Sequence, residues 1–119
     1  MKVFVILSHG SKSKNSNILT EKVAKEVYNL LKVRTVIANL QLSSPYLEDV
    51  IEDEYKKGAR SFVIHPFFLH KGVHVEEDIP KAVEQLKTKY PDAEFMLTDV
   101  TGSSEYIVKA VKETLEKTL

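Results

Sequence analysis

Short runs of apolar residues alternate along the chain with longer segments whose apolar residues recur every three or four positions. The runs lie at residues 3–7, 34–42, 61–68 and 94–100, and their branched and aromatic residues are typical of buried strands. The longer segments predict amphipathic helices. Their apolar stripes consist of Leu19, Val23, Val27 and Leu30/Leu31; of Leu47, Val50/Ile51 and Tyr55; of Ile79, Ala82/Val83 and Leu86; and of Ile107/Val108, Val111 and Leu115. The pattern therefore predicts the order βαβαβαβα.

Turn and cap residues mark the ends of several of these elements. Ser44 is expected to be the N-cap of the second helix, with Pro45 at its first position and Gly58 just after its last turn. Pro66 has no N–H to donate, so pairing of the third strand should end near it. A polar loop over residues 69–78 is then expected before the third helix.

Strands that alternate with helices pair in parallel through right-handed crossovers. We therefore expect an α/β domain over residues 1–119, with one four-stranded parallel sheet and helices on both faces. Such a sheet binds ligands beyond the carboxyl ends of its strands, where the strand order reverses. If the first and third strands are neighbours there, the loops that follow them face one cleft.

Charge and composition exclude several classes of partner and site. The chain has 17 basic and 17 acidic residues, so no overall field draws it to nucleic acid or to an anionic membrane. It has no cysteine, which excludes disulfides, thiolate metal sites and cysteine nucleophiles and fits a cytoplasmic protein. The first apolar run, residues 3–7, is too short for a signal peptide or a membrane span.

Histidines are the candidate chemical groups of the two polar loops. His9 follows the first strand, whereas His70 and His74 follow the third. Without cysteine, imidazole and oxygen ligands favour a divalent ion such as Co²⁺, Ni²⁺, Fe²⁺ or Zn²⁺. His70 and His74 are four residues apart, but Gly72 argues against a helix there. His65, inside an apolar strand, is expected to be a buried histidine bonded to the backbone.

Two longer motifs surround these loop histidines. The first is His9-Gly10-Ser11-Lys12, and the second is Pro66-Phe67-Phe68-Leu69 followed by Gly72-Val73-His74 and Asp78-Ile79-Pro80. Together they resemble the small CbiX type of the sirohydrochlorin chelatase family. The second motif is the more specific one, because it is similar to the family pattern P-x-F-L-x-x-G-x-H-x-x-x-D-I-P over its whole length.

The resemblance implies a flavodoxin-like class II chelatase fold. It also implies insertion of Co²⁺, Ni²⁺ or Fe²⁺ into the tetrapyrrole sirohydrochlorin, and Co²⁺ is the favoured metal. The product would lead to cobalamin, sirohaem or the nickel tetrapyrrole. The metal is then a substrate, and no prosthetic group is expected. Larger relatives carry two modules with the active site between them. A chain of 119 residues holds one module, which implies a homodimer with the site in the inter-subunit cleft.

The resemblance also assigns roles to individual residues. His9 and His74 fall on the two active-site histidines of the family, as catalytic residues and metal ligands, and His70 is a further possible ligand. A neutral imidazole, with an ordinary pKa of about 6.5, can bind a metal ion or accept a pyrrole proton. The expected substrate-binding residues are Ser11, Lys12, Ser13, Lys14, Gln41, Phe68, Leu69, Lys71, Gly72 and Val73.

The loop after the second strand departs from the family pattern. Family members usually carry acidic residues there, where this chain has Gln41 and Ser44. Lys12 replaces an arginine that often follows the first motif, which keeps the charge but loses the bidentate geometry. These departures keep open a protein that binds tetrapyrrole or metal without catalysis. A third hypothesis, a phosphate or nucleotide binder using residues 8–15, lacks the spaced glycines of such loops.

Overall fold

A computed structural model describes residues 1–13, 15 and 17–119 of the chain, without the side chains of residues 73–75. The predicted order of elements is confirmed, and a short 3₁₀ turn at Thr101–Ser103 is added before the last helix. The elements are β1 (Lys2–Ser8), α1 (Ile18–Leu31), β2 (Thr35–Asn39), α2 (Leu47–Lys56), β3 (Ser61–Pro66), α3 (Val73–Lys89), β4 (Glu94–Leu97) and α4 (Tyr106–Glu116).

All four strands pair in parallel, in the spatial order β2-β1-β3-β4. Val5 in the centre of β1 lies level with Val36 of β2 on one side and with Ile64 of β3 on the other. The order of the strands therefore reverses between β1 and β3. The expectation that these two strands are neighbours is confirmed, and the loops that follow them leave from the same edge of the sheet.

The main core lies on the sheet face covered by α2 and α3. Alternate residues of the strands point to this face, as the twofold repeat of a strand requires. Its buried members are Val3, Val5 and Leu7 of β1, Phe62 and Ile64 of β3, Phe95 of β4, Leu47 and Ile51 of α2, and Ile79, Val83 and Leu86 of α3.

The opposite face is covered by α1, although not along the stripe that the periodicity predicts. Thr20 and Ala24 are the buried residues of α1, whereas Leu19 and Leu30 of the predicted stripe are mostly exposed. The α1 helix lies mainly over β2, and the half-buried Val23 and Val27 of its stripe line a cavity over β1 and β3.

Two helices begin at other residues than expected. The α2 helix begins at Leu47 rather than at Pro45, because the carbonyl of Pro45 accepts a hydrogen bond from the Asn39 N–H, which keeps this segment beside β2. The α3 helix begins at Val73, so the polar loop before it is shorter than predicted. Gly72 does not keep this segment out of a helix, because it is the N-cap residue of α3, and Pro80 lies inside the helix.

The part of the chain that the structure describes contains no helix that is both long and apolar enough to cross a membrane.

The loop after β1 is pressed against the loop after β2. Gly10 adopts a φ of 97°, and a Cβ there would lie 1.8 Å from the carbonyl oxygen of Gln41. The Gln41 N–H in turn donates to the carbonyl of His9 over 3.1 Å. Glycine at position 10 therefore sets the close approach of these two loops.

A partly enclosed ion pair joins β2 to α2. Arg34, just before β2, donates through Nε and Nη2 to the two carboxylate oxygens of Glu54, at 2.5 and 3.0 Å. The Glu54 side chain is only 4% exposed, whereas that of Arg34 is 47% exposed. The hydrogen bonds from Arg34 hold the pKa of Glu54 below its ordinary value. Removing Arg34 would leave a buried carboxylate whose remaining cationic partner among the described residues is Lys57, at 3.4 Å.

We predict that Arg34→Met lowers the free energy of unfolding by about 2–4 kcal/mol at neutral pH, less than for a fully buried pair because Arg34 is half exposed. Because the native pKa of Glu54 is depressed, the pair stabilises the fold above the unfolded pKa and stops doing so as the pH falls through the native value. The difference between wild type and variant should therefore shrink in acid.

Urea unfolding at several pH values measures this difference. Lys56→Met is the control, since its pair with Glu52 is exposed and should contribute less than about 0.5 kcal/mol. Equal losses in the two variants would contradict the assignment of Glu54 as a buried charge.

We further predict that Gly10→Ala costs more stability than Gly58→Ala. Both glycines have positive φ, but a Cβ at Gly58 meets nothing within 4 Å. Gly58→Ala therefore measures the backbone conformation alone, at about 1 kcal/mol, and Gly10→Ala adds the clash with Gln41. Thermal unfolding of both variants gives the comparison, and equal costs would show that the loops separate freely.

Candidate active site

His9 lies at the centre of the carboxyl edge of the sheet. The two carbonyls before it bond to segments on opposite sides. The Leu7 carbonyl accepts from the Phe67 N–H, after β3, at 2.7 Å, and the Ser8 carbonyl accepts from the Leu40 N–H, after β2, at 2.9 Å. The His9 side chain is exposed beyond this edge. The backbone of His9 is thus held from both sides while its imidazole faces solvent.

A buried amide organises the loop after β2. Asn39, the last residue of that strand, is 1% exposed, and its Nδ2 donates to Asn17 Oδ1 at 2.9 Å and to the Ser43 carbonyl at 3.1 Å. Asn17 donates back to the carbonyl of Ser44, and the Ser43 hydroxyl accepts from the Ser11 N–H. Asn39 was not predicted from the sequence, although a polar residue at the end of an apolar strand is a signal for such a role.

The loop after β3 carries the second group of predicted residues. Phe68 packs against the core, whereas Leu69, His70 and Lys71 are exposed. Gly72 is the N-cap residue of α3 in extended conformation, with φ −83° and ψ 173°.

The backbone of His74 lies in the first turn of α3, so the expectation that this histidine is outside a helix is wrong. The helix starts directly after Gly72. The carbonyl of Gly72 accepts the hydrogen bond from the Glu76 N–H, at 3.0 Å, that closes the first turn. The side chains of His74 and Val73 lie outside the described residues. The structure thus places the amino end of α3 beside the strand ends and leaves His70 in the preceding loop.

The predicted binding residues of the first loop divide into three groups. Ser11 is half-buried and bonded through its backbone to the loop after β2. Lys12, Ser13 and Gln41 are exposed, and Gln41 is joined to His9 through their backbones. Lys14 lies outside the described residues. The structure therefore brings His9, Ser11 and Gln41 into one interlocked pair of loops.

Lys71 has a partner that the sequence analysis did not identify. Its Nζ lies 2.9 Å from Asp99 Oδ1, in the segment after β4. This hydrogen bond raises the pKa of Lys71 and lowers that of Asp99, so both groups remain charged at neutral pH. The position of Asp99 just after the fourth predicted strand was the available signal, because parallel strands end at one edge.

His65 is bonded to side chains, so the expectation of a backbone partner is wrong. Its Nδ1 lies 2.8 Å from Thr98 Oγ1, and its Nε2 lies 2.7 Å from Thr101 Oγ1. Burial lowers the pKa of His65. A neutral ring donates to one hydroxyl and accepts from the other, which links β3 to the segment after β4.

Within the described side chains, no three histidine, aspartate or glutamate groups gather in a way that could hold a metal ion. The described groups that the structure places on the carboxyl edge include the exposed imidazoles of His9 and His70, the exposed amide of Gln41 and the cations Lys12 and Lys71. These can bind carboxylates and can exchange a proton through His9.

Comparisons with known proteins agree with this architecture. The chain is 25% identical over 120 residues to the chloroplastic sirohydrochlorin ferrochelatase of Arabidopsis thaliana, covering 97% of this chain and 52% of the relative. It is 32% identical over 82 residues to the sirohydrochlorin cobaltochelatase of Methanopyrus kandleri, covering 68% of this chain and 57% of the relative. The chain therefore spans about half the length of these relatives.

A solved structure and a family model match nearly the whole chain. A CbiX protein from Marinobacter aquaeolei VT8 superposes with a TM-score of 0.87 at 22% identity, covering 99% of this chain and 97% of that one, which shows a shared fold. The CbiX family model matches residues 3–118. On that match, the chain belongs to the CbiX family.

Proposed function

We propose that this protein inserts a divalent metal ion into sirohydrochlorin. The observation that carries the proposal is the placement of His9 and of the α3 turn that holds His74, which leave from the ends of β1 and β3 at the reversal of strand order. Ligands bind at such points in open parallel sheets. Family membership supports the substrate, because the relatives are named as sirohydrochlorin cobaltochelatase and ferrochelatase.

Metal insertion requires removal of the inner pyrrole protons and delivery of a partly dehydrated cation. The imidazoles of His9 and His74 can share these tasks, since a neutral imidazole both binds divalent ions and accepts protons. His70, in the loop just before α3, would supply an additional ligand. The names of the relatives favour Co²⁺ or Fe²⁺ as the metal substrate, and imidazole ligation is equally compatible with Ni²⁺.

The rim of the edge suits a carboxylate-rich tetrapyrrole. Lys12 is an exposed cation, and Lys71 is half exposed and held in its charged form by Asp99. Ser11, Ser13 and Gln41 add polar groups, and the amino end of α3 adds backbone N–H groups with a favourable dipole. Phe68, Leu69, Gly72 and Val73 would contact the macrocycle.

We further propose that the working form is a homodimer, with the active site in the cleft between subunits. The match covers 52% of the Arabidopsis thaliana relative, so a second copy of this chain would correspond to the other half of that relative. Because the chain has no cysteine, we propose that it works in the cytoplasm, where disulfides are rare.

Binding without catalysis is the second candidate function. Gln41 occupies the loop where the family usually has an acid, and the amide cannot hold a formal charge. Because the backbones of Gln41 and His9 are bonded, this substitution lies next to the proposed catalytic group. Such a protein would bind the tetrapyrrole or the metal ion, and the rate of metal insertion would equal that of the reaction without protein.

We predict that His9→Ala and His74→Ala each reduce the metallation rate by about 10²-fold or more, because each removes a ligand or a proton acceptor. His70→Ala should cost less than about tenfold, since His70 is an auxiliary ligand. The visible spectrum of sirohydrochlorin with Co²⁺, Ni²⁺ or Fe²⁺ follows the reaction against a protein-free control. A pigment-dependent spectral shift without any acceleration would favour the carrier, and no response to the pigment would overturn both functions.

We also predict that Gln41→Glu accelerates metallation at low metal concentration, because it places a carboxylate beside His9. The isosteric change Gln85→Glu is the control, since Gln85 is exposed near the far end of α3. Initial rates are measured over a series of metal concentrations. The KM for the metal should be lower than that of the wild type in Gln41→Glu and unchanged in Gln85→Glu. An unchanged KM would show that this loop takes no part in metal delivery.

A further inference from the structure

The segment after β4, residues 98–103, is tied to the loop after β3. The Gly102 N–H donates to the Phe68 carbonyl at 2.9 Å, and a Cβ on Gly102 would lie 1.4 Å from the carbonyl oxygen of Leu69. This approach is closer than any side chain at position 102 allows. The loop that leads into α3 is therefore supported on its β4 side by this segment.

His65 holds the same segment from the sheet. In β3 it alternates with the core residue Ile64, so its ring lies on the opposite face of the sheet, level with Ile6 of β1. Its Nδ1 lies 2.8 Å from Thr98 Oγ1, and its Nε2 lies 2.7 Å from Thr101 Oγ1. Both ring nitrogens are thus used to hold the segment after β4.

The two hydroxyls determine which nitrogen of the ring carries the proton. Thr98 Oγ1 lies 2.9 Å from the carbonyl of Asp99, which can only accept, so the Thr98 hydroxyl donates to it. The same oxygen then accepts from the Nδ1–H of His65. The Thr101 hydroxyl donates to Nε2, because its alternative acceptor, the Pro66 carbonyl, is 3.5 Å away. A directed chain of hydrogen bonds therefore runs through the ring and ends at the backbone of Asp99.

The end of this chain of hydrogen bonds determines where Lys71 lies. The carboxylate of Asp99 accepts from the Val100 N–H at 2.9 Å and contacts Lys71 Nζ at 2.9 Å. The side chains of Asp99 and Lys71 are half exposed, and an exposed pair of flexible groups keeps its geometry poorly. Because the backbone of Asp99 is held through Thr98, one partner of this pair is fixed and the ammonium group acquires a defined position.

Lys71 lines a cavity of about 530 Å³ between the amino end of α3 and the end of β4. Pro66 and Leu97 belong to its apolar lining, and Lys71 is the cation among its described lining residues. An acidic side chain of a tetrapyrrole fits this combination, with its methylene groups on the apolar surface and its carboxylate on Nζ. Asp99 and Glu76 also line the cavity, so a carboxylate can bind only where the ammonium group faces it.

We propose that His65 is a positioning residue for substrate binding. Through the segment after β4, it holds the ammonium group of Lys71 where one carboxylate of the tetrapyrrole meets it. This inference rests on the function proposed above and adds a residue that contacts neither the metal ion nor the pigment. The carboxylate belongs to the periphery of the macrocycle, and its charge is the same before and after metal insertion. Loss of the contact therefore raises KM and leaves kcat nearly unchanged.

An isosteric substitution interrupts the chain of hydrogen bonds. Thr98→Val removes the hydroxyl and keeps the branched shape, so it should raise the KM for sirohydrochlorin about three- to tenfold, with kcat within about twofold of the wild type. Thr88→Val is the matched control, because the Thr88 hydroxyl donates to the Glu84 carbonyl on the exposed side of α3, and it should change neither constant. Circular dichroism checks the fold. An unchanged KM in Thr98→Val, or a loss confined to kcat, would overturn the proposal.

Coupling to Lys71 separates positioning from a general loss of structure. Lys71→Ala should give a similar rise in KM, and Thr98→Val added to it should cause no further rise, since the positioned group is gone. Effects that multiply would show that Thr98 acts elsewhere and would overturn the proposal while the metallation activity stands. A wild type that does not respond to the pigment would refute the proposed function and this inference with it.

The tautomer of His65 is measurable in the free protein, without any pigment. Nitrogen-15 NMR distinguishes protonated from unprotonated ring nitrogens, and His65→Gln identifies the signals by their loss. At neutral pH the ring of the wild type should carry its proton on Nδ1, as the donor to Thr98. A ring protonated on Nε2 would contradict the direction of the hydrogen bonds and overturn the proposal, even if Thr98→Val failed to fold.

Discussion

Parallel pairing of β1 with β3 is the constraint on which the rest of the molecule depends. The chain passes from β1 to β2 on one side and then returns to place β3 on the other, so that Val5 lies level with both Val36 and Ile64. This arrangement creates the reversal of strand order. It also brings the two histidine-bearing segments to one edge, although they are separated by more than half of the chain.

Hydrogen bonds across that edge turn neighbouring loops into one unit. The backbone of His9 is fixed to the loop after β2, whose own path is set by the buried amide of Asn39 and by the close contact at Gly10. Few of these contacts involve the exposed side chains. The fold thus supplies a stable backbone frame, while the groups that would meet a ligand remain free to adjust.

The sequence was sufficient to predict the order of elements and the edge that holds the candidate site, because strands and helices have distinct periods and parallel strands end together. It was not sufficient to predict where α3 begins, since Gly72 was interpreted as a residue that breaks a helix, whereas it is the N-cap residue directly before one. The partners of His65 were missed because Thr98 and Thr101 reach it only through the tertiary fold. The direction of the α1 stripe was also missed, because periodicity identifies an apolar side without identifying what covers it.

In the homodimer proposed above, the carboxyl edge at the ends of β1 and β3 forms half of the active-site cleft, and this has a consequence for the amount of working protein. A site completed by a second chain makes assembly a second-order process, so the assembled fraction rises with total concentration. On dilution, the chains would separate and each would keep only its own half of the cleft. The level of expression, rather than the intrinsic stability of one chain, would then set how much complete site the cell contains.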